Sequence, residues 1–280
     1  MPSFVNFSIP GMHHRPIVAD LAYRADGHKK PVAVFIHGYK GFKDWGVFGC
    51  MEEAFVANGF ALLKFNFSHN GGTLDHPIDF PDLEAFGLNN YSKELDDLKS
   101  VLDWLHLQTE HLHELNLEAI SLVGHSRGGA IATLTAAADL RVSRLVTWAS
   151  VSTLDRTCFA PGPERDAWEE SGVMYVKNGR TQQMMPHRFQ WYEDYKSNRM
   201  RFDVEAAARK LNIPHLIVHG DADESVPVWR AENLNRWSAN GELVIVEDAD
   251  HVFGGKHPWT NSEMPEGFQK VLARSLVFLK

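Results

Sequence analysis

A chain of 280 residues, 44% apolar and 23% charged, has the make-up of an ordinary globular protein and can bury a large core within one domain, which excludes disordered and fibrous classes. Its formal net charge of −8 disfavours nucleic acid and anionic membrane as partners, because neither is attracted by the overall field. The two cysteines, Cys50 and Cys158, form no spacing that suggests a disulfide framework or a zinc site, and both are expected to be small buried or half-buried thiols.

Residues 1–10 contain no basic region followed by an apolar core, so no signal peptide is expected. No apolar run approaches the roughly 20 residues that span a bilayer, and a soluble, cytoplasmic protein follows as the expectation. Strand-like runs recur at 4–9, 17–23, 32–36, 61–65, 119–123, 144–148, 215–218 and 243–246. The first two are separated by only a short Pro-Gly stretch, which predicts an antiparallel hairpin at a sheet edge. From the third onward, helical patterns intervene at 45–57, 91–107, 127–138, 228–237 and 265–279. The clearest is 91–107, where Leu95, Leu98, Leu102 and Leu105 share one face. Strands alternating with crossover helices predict an α/β fold, with a mainly parallel sheet of about eight strands and helices on both faces. Between 153 and 204 the alternation stops for longer than a plain connection, which predicts an inserted lid within a single domain spanning 1–280.

The segment Gly124-His125-Ser126-Arg127-Gly128-Gly129 joins the apolar run 119–123 to the alanine-rich helical run behind it. In a G-x-S-x-G turn the serine takes a strained backbone conformation, and small residues two before and two after let strand and helix approach. Ser126 is therefore the candidate nucleophile. A serine hydroxyl is weak at neutral pH and needs a base within hydrogen-bond reach and a third group to orient that base. The run 215–218 is followed by His219-Gly220-Asp221-Ala222-Asp223-Glu224-Ser225-Val226-Pro227, and the run 243–246 by Glu247-Asp248-Ala249-Asp250-His251. Serine, acid and histidine thus follow in order, each just past a strand, where catalytic groups of open α/β sheets gather.

His251 is the candidate base and Asp223 the preferred acid, with Asp221 and then Asp155 as alternatives. Asp250 is too near His251 in sequence and is expected to serve the turn. A divalent metal held by Asp221, Asp223, Asp248 and His251 lacks typical ligand spacing, so neither a metal nor a cofactor is expected. The oxyanion of an acyl-transfer reaction needs backbone N–H donors. Arg127, at the helix start, supplies one; the loop His37-Gly38-Tyr39-Lys40-Gly41 supplies the other at Tyr39.

These motifs, together with Phe65-Asn66-Phe67-Ser68-His69-Asn70-Gly71, resemble those of serine hydrolases of the α/β-hydrolase fold, and in particular dienelactone-hydrolase-like and cinnamoyl (feruloyl) esterase-like members. The resemblance covers almost the whole chain. It implies an eight-stranded sheet, the elbow serine, oxyanion donors at Tyr39 and Arg127, and a lid after the sixth strand. Serine in place of cysteine argues against dienelactone hydrolysis itself.

The expected activity is hydrolysis of a small-molecule ester through an acyl-enzyme. Amide or small-peptide hydrolysis, thioester hydrolysis and carbon–carbon bond hydrolysis use the same machinery, and a non-catalytic small-molecule-binding protein of the same fold is the reading from another class. In the lid, Trp168, Tyr175, Met184 and Trp191 are candidate substrate contacts, alongside Phe159, Met185, Phe189, Tyr192 and Tyr195, which serve equally to hold the lid in place. Arg156, Arg165, Arg180 and Arg188 are candidates for a substrate carboxylate, set against several neighbouring acids. Residues 257–259 are expected to pack as a loop near His251. The oligomeric state is open, a homodimer being one candidate.

Overall fold

The apolar runs do form strands, and their order in space is what brings the functional loops to one edge. The computed structural model describes residues 3–280. Its strands are β1 (Ser3–Ile9), β2 (Ile17–Ala22), β3 (Lys30–Ile36), β4 (Ala61–Asn66), β5 (Leu115–His125), β6 (Val142–Trp148), β7 (Val173–Lys177), β8 (Met184–Arg188), β9 (His215–Gly220) and β10 (Gly241–Val246). Among the described residues eight of them form one sheet in the order β1-β2-β4-β3-β5-β6-β9-β10, and β7 pairs with β8 alone. The pairs β1/β2 and β2/β4 are antiparallel, and every pair from β4 to β10 is parallel. The expected edge hairpin and mixed eight-stranded sheet are therefore present.

Both faces of the central strands are covered, which is why they read as unbroken apolar runs rather than alternating ones. On β3, Val32, Val34 and Ile36 enter one core, while Ala33 and Phe35 enter the other. The first core is closed by α3 (Tyr91–Leu107) and α4 (Arg127–Ala136), the second by α1 (Met51–Ala57) and α9 (Glu266–Leu279), with α2 (Leu83–Gly87) near the loops. Helix α3 starts where the Asn90 side chain accepts the Lys93 N–H at 2.9 Å, a local cap that satisfies a donor the helix cannot. Its Leu98, Val101, Leu102 and Leu105 are fully buried, and each such side chain contributes about 1.5–3 kcal/mol. Helix α8 (Trp229–Trp237) and α7 (Val204–Lys210) complete the layer beside β9.

The structure differs from the sequence expectations in several places. Strand β5 begins at Leu115 instead of 119, because a register shift between Pro31 and Val32 lets Leu115 and Asn116 pair with the start of β3 despite their polar neighbours. The run expected as one helix from Trp45 opens as a 3-10 turn, Gly46–Cys50, before α1; Gly46 sits at φ 52°, a left-handed conformation that ordinary helix does not tolerate. Cys50 is exposed, whereas Cys158 is half-buried as expected. Between β6 and β9 the chain is not irregular: it forms α5 (Pro163–Ser171), the β7/β8 hairpin and α6 (Gln190–Ser197). Phe159, Trp168 and Trp191 are buried there, and Tyr192 and Tyr195 pack against the same core. No helix of the described residues is long and apolar enough to cross a membrane.

A buried charge cluster fixes the loop that follows β3. Lys43, 1% exposed, donates to Asp20 on β2 and to Asp44, and Lys64 on β4 donates to Asp44 at 2.6 Å. The Lys43 N–H also donates to Asn66 Oδ1 at 2.7 Å. Burial works against the charge on Asp44, yet Lys64 and Lys43 hold its carboxyl below the usual range. Removing Asp44 leaves two buried cations short of a counter-charge that Asp20 and Glu52 only partly replace. Asp44→Asn is expected to lower stability by about 3–5 kcal/mol in denaturant titration. Because the folded-state pKa is depressed, this contribution is complete above the unfolded value near 4 and is lost as pH falls below it, so the gap between the two proteins should close in acid.

Candidate active site

Ser126 stands between β5 and α4 with φ 56° and ψ −121°, a conformation that costs a non-glycine residue on the order of 1–3 kcal/mol. The turn is possible because the chain comes very close to itself here. A Cβ on Gly128 would lie 2.3 Å from the Ile36 carbonyl oxygen, and one on Gly124 would lie 2.5 Å from that of Gly128. Main chain cannot yield as a flexible side chain can. Ser126 N–H donates to the Trp148 carbonyl at 2.8 Å, tying the elbow to the end of β6.

The three residues expected to converge do so. Ser126 Oγ lies 3.0 Å from His251 Nε2, and His251 Nδ1 lies 2.8 Å from Asp223 Oδ2. Asp223 is held by its own turn after β9: Oδ1 accepts the Ser225 and Val226 N–H groups, each at 2.8 Å. His219 Nε2 is 3.3 Å from Oδ2 and donates at 2.7 Å to the Val226 carbonyl. Burial opposes the charge on Asp223, but the hydrogen bonds from His219, His251 and Val226 outweigh it and hold the carboxyl far below the usual range. His251 is placed from behind as well. The ring of His125, 4.9 Å away between centroids, donates from Nε2 to the His251 carbonyl at 2.8 Å, and burial first, then the proximity of His251, push its pKa down to about 3. The ring is therefore neutral and places its one N–H on that carbonyl.

The other acids considered lie elsewhere. Asp221 is exposed and accepts the Asp248 N–H at 2.7 Å. Asp250 caps its own turn, accepting from Val252 and Gly254, as expected of it. Asp155 reaches the cavity beside Ser126 but accepts the Arg156 N–H and does not meet His251. Among the described residues no group of three or more histidine, cysteine or acidic side chains is placed to hold a metal ion.

The loop after β3 passes directly over the serine. A Cβ on Gly38 would lie 2.9 Å from Ser126 Cβ, so the next residue, Tyr39, has its backbone at the site. Neutral His37 anchors this loop: Nδ1 donates to the Gly38 carbonyl at 2.9 Å, Nε2 accepts the Phe67 N–H at 3.3 Å, and burial pushes its pKa down to about 4. Arg127 is the first residue of α4, where backbone N–H groups have no intrahelical acceptor and the helix dipole favours negative charge. The Arg127 side chain runs the other way, 2.6 Å from Oε1 of Glu94, which is 0% exposed, and its guanidinium lies 4.9 Å from the Tyr39 ring centroid and 5.9 Å from that of Tyr91.

Two cavities meet at Ser126. One, of about 520 Å³, is walled by Tyr39, Tyr91, Arg127, Leu154, Arg156 and Arg230 among others, with His251 at its edge. The other, of about 160 Å³, lies between His37 to Gly41 on one side and Trp45, Phe48, His125 and Val252 on the other. The lid residues expected to touch substrate are not in either wall. Trp168 and Trp191 are 2% and 4% exposed; the first donates to the His187 carbonyl at 2.7 Å, and the second stacks on the His187 ring. Tyr175 and Met184 are on the β7/β8 hairpin, more than half and half exposed, beside a separate depression with Leu83 and Pro186. The aromatic residues of this segment pack mainly against one another, which is the other role expected of them. Of the arginines expected there, Arg165 and Arg180 pair with Asp166 and Asp79, and only Arg156 reaches the cavity. Three contributors were missed by sequence reasoning: Arg230, His187 and His125. The last lies inside the motif itself, but nothing in its spacing signals a carbonyl 126 positions away. His257 packs on Phe42 and Trp45 and accepts the Gly46 N–H at 2.9 Å, the loop packing expected of it.

A parallel sheet flanked by helices, with a strained serine elbow after its fifth strand and histidine and aspartate loops beside it, defines a class of fold. The chain belongs to the alpha/beta hydrolase family, whose sequence profile matches residues 33–268. Among curated proteins it is similar to "Putative esterase/lipase 2" of Mycoplasma pneumoniae, 25% identical over 184 residues, which are 65% of this chain and 57% of that protein. Among solved structures it resembles Est1E from Butyrivibrio proteoclasticus with ferulic acid bound, at a TM-score of 0.73 and 19% identity, covering 98% of this chain and 97% of that one. It also resembles a dienelactone hydrolase from Anabaena variabilis, at a TM-score of 0.64 and 16% identity over 99% and 95% of the two chains. At such identities these likenesses concern the fold.

The Glu94–Arg127 pair is buried beneath the elbow, so its loss should be felt there. Glu94→Leu leaves Arg127 without its anion and is expected to cost about 3–5 kcal/mol, read as a lower denaturant midpoint.

Proposed function

We propose that the protein is a serine carboxylic ester hydrolase working through an acyl-enzyme. The observation that carries this reading is the unbroken relay of Ser126 Oγ, His251 and Asp223, at 3.0 Å and 2.8 Å, opening on a 520 Å³ cavity. Ser126 Oγ attacks the ester carbonyl carbon as His251 Nε2 accepts its proton. Asp223, held ionised, keeps the Nδ1 proton directed at itself and stabilises the imidazolium that forms. The negative oxygen is received by the N–H groups of Tyr39 and Arg127, worth about 2.7–4 kcal/mol each in comparable sites. His251 then protonates the departing alcohol, and a water molecule repeats the sequence in reverse to release the acid.

Ester in place of amide or thioester draws support from the name of the Mycoplasma protein and from the ferulic acid bound to Est1E. The segment 153–204 acts as a lid whose first residues, Thr153 to Thr157, wall the cavity. A protein that only binds a ligand has no use for a hydrogen-bonded serine, histidine and ionised carboxylate.

Ser126→Ala is expected to abolish turnover of para-nitrophenyl esters and labelling by a fluorophosphonate, with an unchanged melting temperature. Turnover persisting at the wild-type level would refute the role of Ser126. Asp223→Asn is expected to lower kcat by roughly 10⁴-fold through the wrong histidine tautomer, checked by steady-state kinetics on the same esters.

A further inference from the structure

The wall of the larger cavity contradicts the charge of the chain as a whole. The protein carries a formal −8, yet Arg127, Arg156 and Arg230 line this cavity with Asp155 as its one acidic lining residue. Arg127 is neutralised from below by Glu94. Arg156 and Arg230 are not neutralised in this way: among the described residues neither has a carboxylate within ion-pair distance, whereas Arg165, Arg180, Arg201 and Arg209 each have one. Both are instead held by aromatic rings. Arg156 lies 5.6 Å from the Tyr39 centroid and Arg230 lies 4.1 Å from that of Trp229, with Nη1 at 3.5 Å from Ser152 Oγ.

The groups that face them are few. Asp155 accepts the backbone N–H of Arg156 at 3.0 Å and works through space to favour the charge on Arg230. Lys40 adds a further cation over the Tyr39 ring at 5.1 Å. Burial pushes the pKa values of Lys40 and Arg230 down, which is the response of cations lacking a sufficient counter-charge. Thr153, Thr157 and Ser225 add hydroxyl donors to the same wall. A cleft of one sign with low-dielectric walls concentrates ligands of the opposite sign, and guanidinium planes match a carboxylate better than any other side chain does.

We propose that the substrate carries a free carboxylate in addition to its ester, and that Arg156 and Arg230 bind that carboxylate in the 520 Å³ cavity. This rests on the ester-hydrolase reading and narrows it to anionic esters. The two arginines are specificity-determining residues and take no part in the bond-making steps.

The test compares matched esters that differ only in charge. On the acyl side these are para-nitrophenyl hydrogen glutarate and its methyl ester; on the leaving-group side, para-acetoxybenzoate and its methyl ester. Each kcat/KM is normalised to alkaline hydrolysis of the same compound. The charged member of at least one pair is expected to be preferred by about tenfold, the worth of one charge-assisted hydrogen bond. That ratio should collapse towards one in Arg156→Gln and in Arg230→Gln and be kept in part by the corresponding lysine variants. Ratios near or below one in both pairs, with Ser126-dependent turnover of the neutral esters intact, overturn the proposal and leave the hydrolase reading standing. A preference that survives both glutamine variants overturns the assignment to these residues. If none of the four esters is turned over, the hydrolase reading fails and the proposal fails with it.

Discussion

The site depends first on how closely the opening turn of α4 approaches the carboxyl end of β3. Gly128 lies so near the Ile36 and His37 carbonyls that there is no room for a methyl group. That contact forces the chain to reverse between β5 and α4 within one residue, and the residue is Ser126, in a backbone conformation that has to be paid for by the burial of both elements. It also sets the height of the loop after β3, so that Gly38 rests on the serine and Tyr39 follows. The lysine and aspartate cluster on β2, β4 and the same loop holds the loop from its far side. Ser126 and the loop after β3 are thus located by a single packing distance between main chains.

A second constraint is the burial of one negative charge. Asp223 is kept ionised in a half-closed turn by donors from His219, His251 and Val226, and the histidine nearest the serine is steadied by the neutral ring of His125. Three histidines therefore serve this corner: one stands between serine and acid, while the other two donate to the backbone carbonyls of Val226 and His251.

Much of the fold was legible because the central strands are buried on both faces and read as uninterrupted apolar runs, and because α3 shows its leucines at helical spacing. Serine, acid and histidine were legible because each falls just beyond a strand, in an order that the topology then folds together. What was not legible depends on distances across the fold. The β7/β8 hairpin carries Asn178-Gly179 in its connection, but that connection spans residues 178–183 instead of two residues, and its strands alternate weakly. Trp168 and Trp191 look, as residues, equally suited to a pocket wall and to a core; the structure buries them among Phe159, Tyr192 and His187 because the segment needs a core of its own. Arg230, the second residue of α8, looks like any solvated arginine until the loop after β6 is placed beside it.

Tyr39 joins the two halves of this arrangement. Its phenol is hydrogen-bonded to Nε2 of His187 on β8 at 2.6 Å, and burial lifts the phenol to about 12 while burial and the nearby cations Arg127, Arg156 and Lys40 push His187 down to about 3, so the hydrogen bond is between neutral groups across the physiological range. The same residue lies next to Gly38, whose main chain rests on Ser126. Any displacement of β8 would therefore pull on the side chain of a residue that lines both cavities at Ser126. The hairpin and the loop beside the serine are thus mechanically linked at one tyrosine, so that the position of one constrains the other.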